Sequence, residues 1–266
     1  MKKALRWILF SICLAVFVYS AYQLISIYSE YRRAKNYYSS TASEYVKPAE
    51  AAETQSETPQ TEKEAEPADT EAAAQPNEVP ITVDFESLRA ENSDVIGWLY
   101  CADTAINYPV VQGDDNSYYL NRMMDGSSSS GGTIFMDDQG SPDFSDNDSV
   151  LYGHNMKDGS MFHSLLSYSK QEYYDEHPTM YLLTPTGDYR VDLFSAFVTA
   201  ADSWAYVLRF GTEAEHAAYL EKAISSSAFV SGVTPAVEDK LLLLSTCSYE
   251  YDDARYVVLG VLTPLM

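Results

Sequence analysis

Residues 7–29, WILFSICLAVFVYSAYQLISIYS, contain no charged side chain. A helix needs about 20 apolar residues to cross roughly 30 Å of hydrocarbon, so this run predicts a membrane anchor and divides the chain. Lys2, Lys3 and Arg6 precede it, which suits a cytoplasmic N-terminus over residues 1–6. Arg32, Arg33 and Lys35 follow it, so the flanking charge orients the segment only weakly. A cleaved signal peptide is the competing reading. Its apolar region is shorter, about 7–15 residues, and ends at a small-residue site, of which Val18-Tyr19-Ser20 is a poor version. Either way, the bulk of the chain is expected outside the cytoplasm.

From Tyr37 the composition changes. The stretch EYVKPAEAAETQSETPQTEKEAEPADTEAAAQPNEVP is built from Glu, Ala, Thr, Pro and Gln, with almost no aliphatic or aromatic residue. Such a segment buries too little apolar surface to offset the entropy of ordering. Residues 30–80 are therefore expected to form a flexible acidic stalk, and residues 81–266 the folded domain. DFESLRAEN, with Phe85 and Leu88 three apart, reads as a short amphipathic helix. Eight runs rich in Val, Ile, Tyr and Phe follow between turn residues: VIGWLYC, INYPVVQ, GGTIFMD, SVLYGHN, TMYLLTP, DYRVDLFSAFVTA, KLLLLSTC and RYVVLGVLTP. Two helices interrupt them, SMFHSLLSYSKQEYYDEH and TEAEHAAYLEKAISSS, the latter with Ala218, Leu220 and Ile224 toward one side. This pattern predicts a mainly β domain, a closed antiparallel β-barrel decorated with helices.

The formal net charge is −22, and from residue 81 onward there are 28 acidic and 9 basic side chains. That surface excludes nucleic acid as a partner and favours amines or basic peptides, although solubility alone also accounts for it. The carboxylate-rich MDDQGSPDFSDND lacks the spacing of a calcium loop and reads as a solvated loop. No Cys/His spacing suits zinc and no glycine loop suits phosphate, so no metal or cofactor is expected. Of the three cysteines, Cys13 lies in the apolar run. Cys101 and Cys247 either pair with each other or leave exported free thiols.

Thiol chemistry needs a partner base, and four histidines are available. His163 falls in a helix, His177 precedes Pro178 in a turn, and His216 is expected on the exposed side of its helix. His154 differs, because it ends the strand SVLYG and opens the polar loop NMKDGS. Cys247 closes the run LLLLSTC, and Arg255 opens RYVVLG. Taken singly, each has an ordinary reading: a structural strand-end imidazole, a core thiol, and a surface charge paired with Asp252 or Asp253 for under about 1 kcal/mol.

Taken together, LYGHN, then LSTC, then an arginine at a strand start resemble the sortases, membrane-anchored cysteine transpeptidases of Gram-positive bacteria. SVLYGHNMKDGSMFHSLLSY, STCSYEYDDARYVVLG, PVVQGDDNSYYL and GGTIFMDDQ are similar to segments of the class B branch, as is the helix ahead of the cysteine strand. The resemblance spans residues 84–265. It implies Cys247 as nucleophile, His154 as acid/base partner and Arg255 as electrostatic stabiliser. It further implies a substrate groove lined by Asn116 and Leu120, by Tyr206 and Val207, and by Ser245. The implied partners are surface proteins carrying a C-terminal sorting signal, such as N-P-x-T-x, and an amine of a peptidoglycan precursor. A pilin lysine as acceptor, or water as in a peptidase, are the alternatives, and a non-catalytic adhesive barrel is a third. Ser248 stands where class B enzymes can carry an acidic residue, which bears on substrate specificity.

Overall fold

The computed structural model describes residues 2–49 and 79–265. Helix α1 (Lys2–Tyr45) is followed by the short strand β1 (Val46–Pro48), which pairs antiparallel with β2 (Ile81–Val83). Helix α2 (Phe85–Glu91) comes next, capped by Asp84, whose carboxylate accepts from Ser87 N at 3.0 Å. The barrel strands are β3 (Val95–Tyr100), β4 (Asn107–Val111), β5 (Ile134–Met136), β6 (Asp148–Tyr152), β7 (Thr179–Thr184), β8 (Gly187–Ala200), β9 (Leu241–Cys247) and β10 (Ala254–Pro264). Helices α3 (Gln171–Glu176) and α4 (Glu213–Ser226) are inserted before β7 and before β9.

The eight runs read from the sequence are these eight strands. They close in the order β10-β8-β7-β3-β4-β5-β6-β9, with β9 pairing back to β10. The barrel is mixed, not purely antiparallel as expected: β4 with β5 and β6 with β9 run parallel. Parallel neighbours need a long crossover, and both pairs have one. A 22-residue excursion separates β4 from β5, while β7, β8 and α4 intervene between β6 and β9.

Both faces of β9 are covered, which explains four consecutive leucines. Leu242 and Leu244 enter the barrel interior with Leu99, Val110, Ile134 and Leu151. Leu241 and Leu243 face the other way, under Tyr219, Leu220 and Ala223 of α4. Side chains alternate across a strand, so a strand buried on both faces reads as an unbroken apolar run.

Several local expectations are corrected. The buried stripe of α4 is His216, Tyr219, Leu220 and Ala223, a regular helical spacing, while Ala218 and Ile224 face solvent. His216 is therefore buried, not exposed, with its ring stacked on Phe210 at 4.2 Å. The single helix expected around His163 is two: a 3₁₀ segment His163–Ser169 and α3, separated by Lys170 in extended conformation. In the acidic loop ahead of β6, Asp146 is buried, and both its oxygens accept from Arg209, at 2.7 and 3.1 Å.

The stalk assignment of residues 30–80 also changes. Helix α1 continues unbroken beyond the apolar run and lies against the barrel. Glu30 accepts from Ser130 N at 2.8 Å, and Arg33 donates to Ser128 O at 2.7 Å. Tyr38 is buried and donates to Gly132 O at 2.6 Å. Residues 50–78 of the expected stalk lie outside the described residues. Within the apolar run, Trp7, Phe10, Phe17 and Tyr22 are all exposed, and the helix is long and apolar enough to cross a membrane.

Asp148, at the start of β6, is fully buried beneath α4. Tyr219 Oη lies 3.0 Å from both Asp148 Oδ2 and Ala205 O. One phenol proton serves only one acceptor. Asp148 Oδ1 is buried without a hydrogen-bond partner, and burial pushes the carboxyl's pKa up to about 8, which favours the protonated form. The folded state thus keeps a proton that the unfolded chain loses near pH 4, so stability falls as pH rises from about 4 to about 8, by about 1.4 kcal/mol per pH unit at most. Asp148→Asn cannot ionise. Its unfolding midpoint should gain on wild type between pH 5 and pH 8, as read by thermal denaturation; an unchanged difference would contradict the protonated carboxyl.

Candidate active site

Cys247 is the last residue of β9, and Arg255 stands directly opposite it near the start of β10. Directly opposed residues of an antiparallel pair project to the same face, so thiol and guanidinium share one side of the barrel mouth. The six-residue turn between them, 248–253, carries exposed Tyr249 and Tyr251. It closes through Ser248 N to Ala254 O at 3.0 Å and Ala254 N to Tyr251 O at 3.2 Å. Ser248 itself is buried and hydrogen-bonds Glu250. Arg255 donates one Nη to Ala254 O at 3.0 Å. Among the described residues, neither Asp252 nor Asp253 forms an ion pair with it.

His154 arrives from the other side. In the parallel β6–β9 ladder Tyr152 pairs with Ser245, and Gly153 N donates to Ser245 O at 3.1 Å. Continuing that register brings residue 154 beside residue 247. The ring's Nε2 donates to Leu120 O at 2.7 Å. This bond fixes the imidazole's orientation and leaves Nδ1 as its other functional nitrogen. The close approach requires glycine at 153. A Cβ there would stand 2.5 Å from Ile134 Cδ1 and 2.6 Å from Phe162 Cδ2, and Phe162 N in turn donates to His154 O at 2.9 Å. Gly153→Ala should therefore displace His154, costing about 1–3 kcal/mol of stability and lowering kcat. A wild-type kcat with an unchanged melting midpoint would show that the packing yields freely.

The residues expected in the groove are placed unevenly. Tyr206 Oη and Ser245 Oγ are 2.8 Å apart, one strand position short of the Thr246–Cys247 end. Burial pushes the Tyr206 phenol up; Arg255 lowers it and Cys247 raises it, so the phenol lies within electrostatic reach of both. The Tyr206 ring stacks on Tyr152 at 6.3 Å, and Tyr152 Oη donates to Asp137 Oδ2 at 2.8 Å. Asn116 binds the same carboxylate oxygen at 3.1 Å and Asp138 Oδ1 at 3.2 Å. It is thus linked through Asp137 and Tyr152 to Tyr206 and Ser245. Leu120 presents its carbonyl to His154 while its side chain is exposed. Val207 is half-buried beside Tyr206.

Three contributors escaped the sequence reading: the Leu120 carbonyl, Tyr152, and Asn155, whose Nδ2 donates to Cys247 O at 3.0 Å. Only Asn155 had a local signal, its adjacency to His154. The other thiols stand apart. Cys13 is in α1, and Cys101 is buried in the barrel near Tyr168, its pKa pushed up by burial. All three cysteines are free, so the Cys101–Cys247 bridge does not form.

A family model described as the sortase domain matches residues 99–263. The chain belongs to the sortase family. Sortase B of Listeria monocytogenes is 34% identical over 181 residues, covering 67% of this sortase and 74% of the relative. Sortase B of Staphylococcus aureus is 33% identical over 178 residues, covering 66% and 73%. Among solved structures, the Staphylococcus aureus sortase B–substrate complex superposes with a TM-score of 0.66 at 32% identity, over 68% of this chain and 85% of that one. A Bacillus anthracis sortase B structure gives 0.71 at 28% identity, over 90% of this chain and all of that one. This sortase is therefore a class B cysteine transpeptidase.

Proposed function

We propose that this class B sortase cleaves the C-terminal sorting signal of surface proteins and passes the acyl group to an amine of a peptidoglycan precursor, with Cys247, His154 and Arg255 performing the chemistry. The observation that carries the assignment is the convergence of three strand ends: Arg255 opposite Cys247, and the His154–Asn155 turn bonded to the Cys247 carbonyl. The Cys247 thiolate attacks the scissile carbonyl carbon, forming a C–S bond and an oxyanion. The Arg255 fork, which cannot serve usefully as a base, donates N–H bonds to that oxyanion. Collapse breaks the C–N bond while His154, as imidazolium, gives its proton to the leaving amine. The thioester is then attacked by the acceptor amine. Neutral His154 takes the amine's proton, and thiolate departs as the new amide forms.

Supporting the substrate class, the Staphylococcus aureus relative has been solved as a substrate complex. The groove from Asn116 and Leu120 through Tyr206 and Val207 to Ser245 would hold the signal peptide. The apolar half of α1 would anchor the enzyme, with residues 1–6 cytoplasmic and the barrel extracellular, as its strongly acidic composition suits. The test supplies the full chain in detergent micelles with an N-P-x-T-x peptide, with and without an amine acceptor. Mass spectrometry should find the acyl group joined to the amine. Free acid as the main product in the presence of acceptor would make the enzyme a peptidase, and preference for a lysine side chain would redirect it to pilin.

A further inference from the structure

The loop after His154 is tightly closed. Phe162 N returns to His154 O at 2.9 Å, Asn155 and Met161 form an antiparallel bridge, and Asp158 Oδ1 accepts from Ser160 N and Oγ. Met156 and Met161 pack from this loop into the barrel core, and Asn155 makes hydrogen bonds outside it. Asn155 Nδ2 donates to the carbonyl of Cys247 at 3.0 Å, and Asn155 Oδ1 accepts from His163 Nδ1 at 2.7 Å.

The register explains why that donor is needed. In a parallel ladder the donors recur at every second residue, and Gly153 N donates to Ser245 O. Had β6 continued, the backbone N–H of residue 155 would be next, donating to the carbonyl of residue 247. The chain instead turns away to present His154, and the Asn155 carboxamide substitutes for the absent backbone group. The peptide it grips joins Cys247 to Ser248, whose N–H is itself held by Ala254 O at 3.0 Å. Both ends of this peptide plane are fixed, one by each neighbouring strand. That sets the backbone of Cys247 and hence the direction in which its side chain leaves. The amide's orientation is determined too: only Nδ2 can donate to a carbonyl, so Oδ1 faces His163, and His163 carries its proton on Nδ1.

We propose that Asn155 is a positioning residue for the nucleophile, holding the Cys247 peptide where β6 no longer can, and that His163 keeps the carboxamide in its donating orientation. The inference deepens the reading of Cys247 as nucleophile and rests on it. Misplacing a reacting group by about 1 Å can cost about 10²-fold, so the effect belongs on kcat and not on binding of the peptide.

The test uses the full chain in detergent micelles, an N-P-x-T-x peptide and a saturating amine acceptor. Asn155→Ala and Asn155→Asp should each lower kcat by about 10–100-fold, with KM for the peptide within about 2-fold of wild type. The aspartate variant is the discriminating one. It keeps an acceptor for His163, so a residue that merely shapes the loop would tolerate it, yet it turns an oxygen toward the Cys247 carbonyl. It also carries the test should the alanine variant fail to fold. His163→Ala should give a smaller loss in kcat, recovered by His163→Asn, which keeps a donor near the Nδ1 position. Wild-type kcat in Asn155→Asp, or variants that change KM alone, would overturn the proposal. Turnover by Cys247→Ala would instead overturn the nucleophile assignment, so the two failures are distinguishable.

Discussion

Cys247→Ala is expected to abolish both turnover of a sorting-signal peptide and covalent capture of the active site by iodoacetamide. The expected loss is at least about 10⁴-fold, the scale on which removing a nucleophile from a cooperating set acts. No other thiol can substitute. Cys101 is buried with its pKa pushed up, which suppresses the thiolate, and Cys13 lies in the apolar part of α1. Cys247 alone combines partial exposure with a guanidinium directly across the strand pair. Peptide mapping after alkylation of the native full chain should place the adduct on Cys247. Full transpeptidation by the alanine variant would end the proposed mechanism.

Arg255→Lys should retain alkylation of Cys247 but lower kcat by about 10²–10³-fold, the usual cost of one oxyanion donor. Charge is conserved in this substitution, so the comparison isolates geometry. Arg255 already commits one Nη to Ala254 O. A planar fork can anchor there and still aim further N–H groups at the carbonyl under attack, whereas a lysine ammonium is a single point on a flexible stem. A rate near wild type would remove Arg255 from the oxyanion role and leave it a simple source of positive potential.

The site was legible to different depths for physical reasons. LLLLSTC and RYVVLG are two β-rich runs joined by a short polar turn, and such a connection makes neighbouring strands antiparallel. The facing of Cys247 and Arg255 was therefore implicit in the local pattern. His154 could be placed at a strand end, but not beside Cys247. That adjacency comes from β6 lying parallel to β9, a long-range pairing on which local composition is silent. The docked end of α1 was missed because residues 30–45 are polar by composition. Yet Tyr31, Tyr38 and Tyr45 recur every seven residues on one face of α1. Tyr31 packs against the core, Tyr38 is buried in it, and Tyr45 donates to Glu91 at 2.9 Å. The heptad of tyrosines was the available signal. His216 was assigned to the wrong face because the stripe it shares with Tyr219, Leu220 and Ala223 is offset from the one marked by Ala218 and Ile224.

The pairing of β1 with β2 changes what the acidic segment can do mechanically. Pro48 and Ile81 are cross-strand partners, and Ala49 N donates to Pro80 O at 3.0 Å, so the described residues on either side of that segment lie side by side. The separation of α1 from the barrel is therefore fixed by the described contacts and does not depend on the length of chain between residues 49 and 79. Residues 30–45 of α1 run along the folded domain, with contacts from Glu30 and Arg33 through Tyr38 to Tyr45, so the barrel is docked directly beyond the apolar run. Inserting a single residue just ahead of Glu30 would leave those contacts intact and turn the barrel by about 100° about the helix axis relative to the apolar run.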